Sequence, residues 1–321
     1  MIELTTFRAS DAADIAAGLG HWDVVKWLTA VPWPYDAEQA ARFIRDLAGP
    51  DEYAIRRNGR VIGTVRAGET LGYWVAPDWQ GQGVGYRAAV LALSRRFWRD
   101  PSPIRADYLQ GNDRSARLLA RLGFRETARG VAFCAARQAD VPAVVTELTA
   151  DDFAARHPIS LTTPRLSIGA MTTDDLPHLH RVVTHPHVAP MLLRFRTDMP
   201  PDSTAAILTE GASLPPIRLA LRRDGRAIGM IGVSAGDPMR LYYALSPDHA
   251  GHGLMTEAAR AMLAEIRLRF APPRIAAETF DDNPASAAIL ARLGFRAVDR
   301  SAMVSMAREC AAPATIWHLT F

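Results

Sequence analysis

One stretch of this chain occurs twice, and that repetition constrains the fold more than any other feature. Leu71–Trp98 reads as a short apolar and aromatic run stopped by Pro77, a turn with glycines at 81, 83 and 85, and a segment from Tyr86 with Ala89, Leu93 and Phe97 spaced four apart. The first part carries the signal of a buried strand. The last is that of a half-buried helix, with Arg87, Arg95, Arg96 and Arg99 mostly on its other side. Leu241–Phe270 repeats strand, proline, glycine turn and helix, Gly253 standing 170 residues after Gly83, with Ala258, Met262, Ile266 and Phe270 on one stripe. A second pair of segments follows in the same order. Asn112–Phe124 and Asn283–Phe295 share the pattern N-x-x-S-x-x-(L/I)-L-A-R-L-G-F at an offset of 171. Two motifs, each present twice in one order, mark a tandem duplication.

At 321 residues the chain has room for two domains of ordinary size. The expected division is a first domain over 1–149, a connector over 150–163 broken by His157-Pro158 and Thr163-Pro164, and a second domain over 164–321. The isoelectric point of 9.1 reflects a net charge of only +3. Lys26 is the only lysine and no basic stripe is visible, so a nucleic-acid partner is not expected. Cys134 and Cys310 fall late in the two copies and are expected as free thiols in a reducing compartment. Ile2-Glu3-Leu4 begins directly with strand-like residues and no apolar run approaches 18 residues. Neither a signal peptide nor a membrane span is therefore expected, and a cytoplasmic location is.

Along the chain, Ile2–Arg8 reads as a strand, Ser10-Asp11 as a helix cap, and Asp23–Leu28 and Asp36–Leu47 as helical pieces around the loop Val31-Pro-Trp-Pro-Tyr35. Tyr53–Arg57 and Val61–Arg66 flank Asn58-Gly59, a strong hairpin signal. Ile104–Leu109 leads into the Asn112 helix, and Val131–Ala136 with Ala143–Leu148 closes the copy. In the second copy Arg165–Ala170, Thr172–Asp175 and the hairpin at Asp224-Gly225 restart the order. Each copy is thus a mixed α/β domain, its sheet mostly antiparallel and flanked by helices.

A strand that runs through glycines into a helix offers free N–H groups at the positive end of the helix dipole, a cradle for phosphate. The turn also fits a dinucleotide fingerprint, Gly83-x-Gly85-x-x-Ala88 with Asp107 further on. The second copy lacks that fingerprint, and hairpin-linked strands precede the turn where a βαβ unit would be required. No P-loop pattern is present. His178, His180, His185 and His187 cluster in sequence, but lack a carboxylate or thiolate pattern at ligand spacing, so no metal is expected.

On these residues each copy resembles the GNAT (general control-related N-acetyltransferase) superfamily, within it the branch similar to ribosomal-protein-alanine N-acetyltransferases. Gln80-Gly81-Gln82-Gly83-Val84-Gly85 matches the acetyl-CoA signature Gln/Arg-x-x-Gly-x-Gly/Ala, and the N-x-x-S…G-F segment matches the branch's second motif in both halves. The Asn58-Gly59…Ile62-Gly63 hairpin and the Val31–Tyr35 loop look like that branch too. The resemblance implies acetyl-CoA as cofactor and an amine as acceptor, a peptide N-terminus or a small molecule.

It also implies roles. The N–H groups of Gly81–Gly85 would hold the pyrophosphate, and the backbone of Trp74–Val75 would pair with the pantetheine amides like an added strand. Asn112 would bond the pantetheine arm. Ser115 would meet the departing thiolate, and a strand N–H the oxyanion. In the second copy the matching cofactor residues are Leu245, Gly251, His252, Gly253, Leu254, Met255, Asn283 and Ser286. Trp33 and Tyr35, beside Trp22 and Trp27, mark the acceptor side of the first copy, whereas the second offers only Phe195 there.

The carboxylate that many relatives carry as general base is replaced by Thr70 and Arg240, and alternation turns Glu69 to the opposite face. Ala250 departs from the signature in the second copy. The first copy is therefore expected to be the more active. The alternative is a CoA-binding sensor or scaffold without turnover in one or both halves. A monomer whose halves pack like a dimer, or a homodimer, is left open, as is the identity of the amine.

Overall fold

The structure is a computed structural model describing residues 2–209 and 211–321. It divides into two compact units, Met1–Arg156 and His157–Phe321.

The first unit runs β1 (Glu3–Thr5), α1 (Ala12–Leu19), α2 (Trp22–Val25), α3 (Ala37–Arg42), β2 (Glu52–Arg57), β3 (Arg60–Ala67), β4 (Leu71–Val75), α4 (Val84–Arg99), β5 (Ile104–Leu109), α5 (Asp113–Leu122), β6 (Arg125–Cys134), β7 (Ala139–Leu148) and α6 (Ala150–Arg156). Strands β1–β2–β3–β4 form one antiparallel sheet and β5–β7–β6 another. Asn58 and Gly59 take positive φ, 52° and 80°, so the β2–β3 hairpin turns where the sequence predicts. Neighbouring side chains on β4 alternate between faces. Trp74 packs in the core with Ile15, Leu19 and Ala54, while Tyr73 faces the other side. On α4 the stripe Ala89, Leu93 and Phe97 is buried, and Phe97 meets the buried Phe153 of α6, a helix within the expected connector.

The second unit runs β8 (Leu161–Thr162), β9 (Ser167–Ala170), α7 (Leu176–Val183), α8 (Pro201–Leu208), β10 (Ile217–Arg223), β11 (Arg226–Val233), β12 (Met239–Leu245), α9 (Leu254–Phe270), β13 (Arg274–Phe280), α10 (Pro284–Arg292), β14 (Arg296–Met303) and β15 (Ala312–Thr320). Its strands form one eight-stranded sheet in the order β14-β15-β13-β12-β11-β10-β9-β8. The α9 stripe Ala258, Met262, Ile266 and Phe270 is buried as predicted.

Three expectations need correction. Arg95 is buried, its guanidinium 4.8 Å from the Tyr53 ring, because an aromatic face on β2 compensates the charge. The first strand ends at Thr5, and Phe7 turns to meet the Phe43 ring. Ser10 is not a cap. Asp11 instead accepts from the Arg8 N–H at 2.7 Å and from buried Arg56 at 2.5 Å. Asp175 does the same in the second unit, accepting from the Thr172 N–H at 2.7 Å and from Arg222. Burial alone would raise the Asp175 carboxyl, but Arg222 and Thr172 hold it below the usual carboxylate range.

Candidate active site

Both units open their sheet at the same place. In the first, the pairing between the β4 and β5 segments among the described residues is a single bridge between Thr70 and Arg105. In the second, the parallel pairing of β12 with β13 covers only Met239–Leu241 against Ile275–Ala277, and Tyr242–Leu245 run on beyond it. The outward backbone groups at the ends of β4 and β12 therefore lack a neighbouring strand among the described residues. Backbone N–H and C=O groups require partners, so an open edge of this kind is a template for an extended ligand.

The glycine turn sits at the end of each open strand. Gly81 and Gly83 have φ of 73° and 75°, and Gly251 and Gly253 of 79° and 73°. A side chain would be strained at these angles. Each turn feeds a long helix whose N-cap glycine offers no side-chain hydrogen bond, leaving the first-turn N–H groups directed at the turn. The side chains of Val84, Leu254 and Met255 are buried, as is that of Trp74, so these positions can serve a ligand only through their backbone.

The two turns are held by different means. Gln80 donates to the Val75 carbonyl at 2.8 Å and accepts from Arg114, bracing the turn between β4 and α5. Gln82 donates to the Asp78 carbonyl. Ala250 cannot replace Gln80, but Arg165 donates to the His252 carbonyl at 2.9 Å while paired with Glu257 at 2.7 Å. The Glu257 carboxyl, which burial would raise, is kept low by Thr163 and Arg165. The departure at Ala250 is thus answered from outside the signature.

Asn112 and Asn283 are helix N-caps, their Oδ1 atoms accepting from the N–H of Ser115 at 3.2 Å and of Ser286 at 3.1 Å. Each cap fixes its serine at the third helical position and leaves its own NH2 for a ligand. The serines in turn meet tyrosines from the open strands. Tyr73 Oη lies 2.7 Å from Ser115 Oγ, and Tyr243 Oη 2.8 Å from Ser286 Oγ. Burial pushes both phenols up to about 12, the serine bond acting against it. Neither tyrosine was expected at the site. The available signal was that both copies carry a tyrosine two residues before Val75 and Leu245.

Around the Val31–Tyr35 loop of the first unit, Trp22 and Trp33 are 42% and 40% exposed and meet edge to face at 5.6 Å. Tyr35 packs against the core, and burial with nearby Asp36 and Glu52 raises its phenol. Glu52, opposite Arg66 on β3, is itself raised by burial. Phe195, the aromatic in the matching region of the second unit, is buried. Glu69 is exposed, Thr70 accepts from Arg66, and Arg240 pairs with Glu278 at 3.2 Å. Of the four histidines, His180 bonds Thr204, His178 bonds Arg181, and His185 accepts from the His187 N–H.

A family model described as an acetyltransferase (GNAT) domain matches the chain twice, at residues 2–125 and 165–296. Among solved structures, a GNAT-family acetyltransferase from Bacillus anthracis matches at 15% identity and TM-score 0.44, over 50% of this chain and 98% of that one. A ribosomal-protein-S5-alanine acetyltransferase from Vibrio fischeri matches at 16% identity and TM-score 0.42, over 50% and 96%. A spermidine N-acetyltransferase from Vibrio cholerae, in complex with CoA and spermine, matches at 12% identity and TM-score 0.43, over 49% and 96%. No curated protein matches the chain.

Proposed function

The chain belongs to the GNAT acetyltransferase family, carrying its domain twice, and from that premise we propose an N-acetyltransferase that moves an acetyl group from acetyl-CoA to an amine. The observation that carries this reading is the open strand edge ending in a positive-φ glycine turn, present in both units. Pantetheine amides would pair with the Trp74–Val75 backbone, and with Leu245 in the second unit. The turn N–H groups, Gly81–Gly85 and Gly251–Met255, would meet the pyrophosphate. The NH2 groups of Asn112 and Asn283 would bond the pantetheine arm.

The reaction is direct attack in a ternary complex. The amine lone pair adds to the thioester carbonyl carbon, a β4 N–H holds the oxyanion, and the C–S bond breaks with its electron pair on sulfur. The amine proton passes to water, Ser115 gives its hydroxyl proton to the departing sulfur, and that water restores the proton to the serine. With Thr70 where a carboxylate base would stand, an acceptor already partly neutral fits best. An α-amine with a pKa of about 7.7–8.0 meets that condition and a lysine at about 10.4 does not. The exposed Trp22–Trp33 pair, with Tyr35 behind it, gives the first unit an acceptor face that the second lacks. The second unit is accordingly read as the weaker catalyst, or as a CoA-binding module without turnover.

The test is release of the CoA thiol from acetyl-CoA in the presence of peptide α-amines, polyamines and lysine side-chain analogues. Turnover strongest with α-amines supports the reading. Tight acetyl-CoA binding with no turnover on any amine class would support the sensor instead. A pH–rate profile demanding a strong enzyme base would overturn the acceptor argument.

A further inference from the structure

We infer that Tyr73 and Tyr243 are positioning residues that set the direction of the serine hydroxyl toward the departing sulfur, an inference that rests on the acetyl-CoA reading above. Each tyrosine comes from the open strand and each serine from the third position of the capped helix, and the two side chains meet across the gap at 2.7 and 2.8 Å. The pair is reproduced in both units, although the residues around it differ. Tyr73 is flanked by Gly72 and Trp74, Tyr243 by Tyr242 and Ala244.

A hydroxyl has one proton and two lone pairs, so a pair of hydroxyls can be ordered either way round. Burial keeps both phenols protonated far above neutral pH. The phenol O–H is the more acidic of the two hydroxyls and so the better donor, and with the phenol donating to the serine oxygen the serine proton points elsewhere. Asn112 and Asn283 take the serine N–H groups, so the hydroxyls are not used in capping, and in the inferred arrangement their protons are directed at the sulfur.

The chain therefore runs phenol O–H to serine oxygen, and serine O–H to sulfur. When the amine adds and the C–S bond breaks, the sulfur carries the electron pair, and this two-link chain stabilises the thiolate until the serine proton passes to it. The serine is reprotonated from the water that took the amine proton, and CoA leaves as the thiol. The tyrosine's inferred role is indirect. It acts through the serine.

The experiment compares binding of acetyl-CoA, CoA and desulfo-CoA to the full chain by calorimetry at pH 8.5, near the usual alkyl-thiol pKa of about 8.5. The variants are Tyr73→Phe with Tyr243→Phe, and Ser115→Ala with Ser286→Ala. Wild type should bind CoA about tenfold tighter than desulfo-CoA. Both double variants should bring that ratio to near one with acetyl-CoA affinity within about twofold of wild type. On an amine that wild type acetylates, the phenylalanine variant should lose about tenfold or more in kcat, with the KM for acetyl-CoA unchanged.

A CoA-to-desulfo-CoA ratio that survives loss of the phenols overturns the inference. So does equal loss of all three ligands, which marks a packing role only. Should the phenylalanine variant fail to fold, the alanine variant decides alone, since a ratio it leaves unchanged removes the serine as the link. Wild type binding none of the three ligands overturns the proposed function, and the inference with it.

Discussion

Gly63 on β3 gives the sharpest structural prediction. Its backbone φ is not left-handed, so alanine is conformationally acceptable there, and only space forbids it. A methyl group at this position would lie 2.3 Å from the Trp74 carbonyl oxygen and 3.1 Å from the Val75 Cα. Both atoms are backbone of the open strand, and no rotamer can relieve the clash. To reach even 3.0 Å, β4 must move by about 0.7 Å, and overpacking of this kind typically costs about 1–3 kcal/mol. For a unit of this size that corresponds to a fall of about 2–4 °C in Tm per kcal/mol.

The displaced backbone is that proposed to pair with pantetheine, so Gly63→Ala should weaken acetyl-CoA binding at the first site as well as lower Tm. Gly229 provides the replicate, a methyl there lying 2.3 Å from the Ala244 carbonyl oxygen and 3.1 Å from the Leu245 Cα. Differential scanning calorimetry and acetyl-CoA titration check both variants. Unchanged Tm and unchanged affinity in Gly63→Ala would refute the close-approach argument. Lowered Tm with both cofactor sites intact would separate the strand position from binding.

The buried Tyr73 and Tyr243 phenols should make the fold alkali-sensitive. The unfolded chain loses these protons near pH 10 and the folded chain near 12, so their contribution is whole below pH 10 and is lost as pH rises to about 12. By that difference each contributes on the order of 3 kcal/mol. Tyrosinate absorbance should show the Tyr73 and Tyr243 protons leaving late, with Tyr35 also raised, and a single transition near pH 10 for all tyrosines would contradict this. Asp11→Ala should destabilise the first unit by about 3–5 kcal/mol, because Arg56 is left buried and uncompensated, and thermal unfolding checks it. Gln80→Ala should weaken the first cofactor site roughly fivefold, and Arg165→Ala the second, each sparing the other in a two-site titration.

The duplication carried the fold because its signals are local. The glycine turns, the hairpins at Asn58 and Asp224, and the buried stripes of α4 and α9 depend on residues within a turn or two of one another. Side chains that meet across long separations were not legible. Nothing near Asp11 announces Arg56, 45 residues away, and nothing near Arg95 announces the Tyr53 face that lets it be buried. Ser115 was legible through its capped motif, whereas Tyr73 reads as one more aromatic in a strand until the fold brings it across the gap. The brace from Arg165 lies outside the signature it supports, which is why Ala250 alone reads as a loss.

The most direct test is titration calorimetry of acetyl-CoA against wild type, Gly83→Asp and Gly253→Asp. An aspartate in either turn would be strained at positive φ and would place a carboxylate where phosphate is proposed to bind. Two sites in wild type, falling to one in each variant, is the expected result. A single wild-type site abolished by Gly83→Asp and untouched by Gly253→Asp would contradict the duplicated cofactor site, and no binding at all would contradict the acetyl-CoA reading itself.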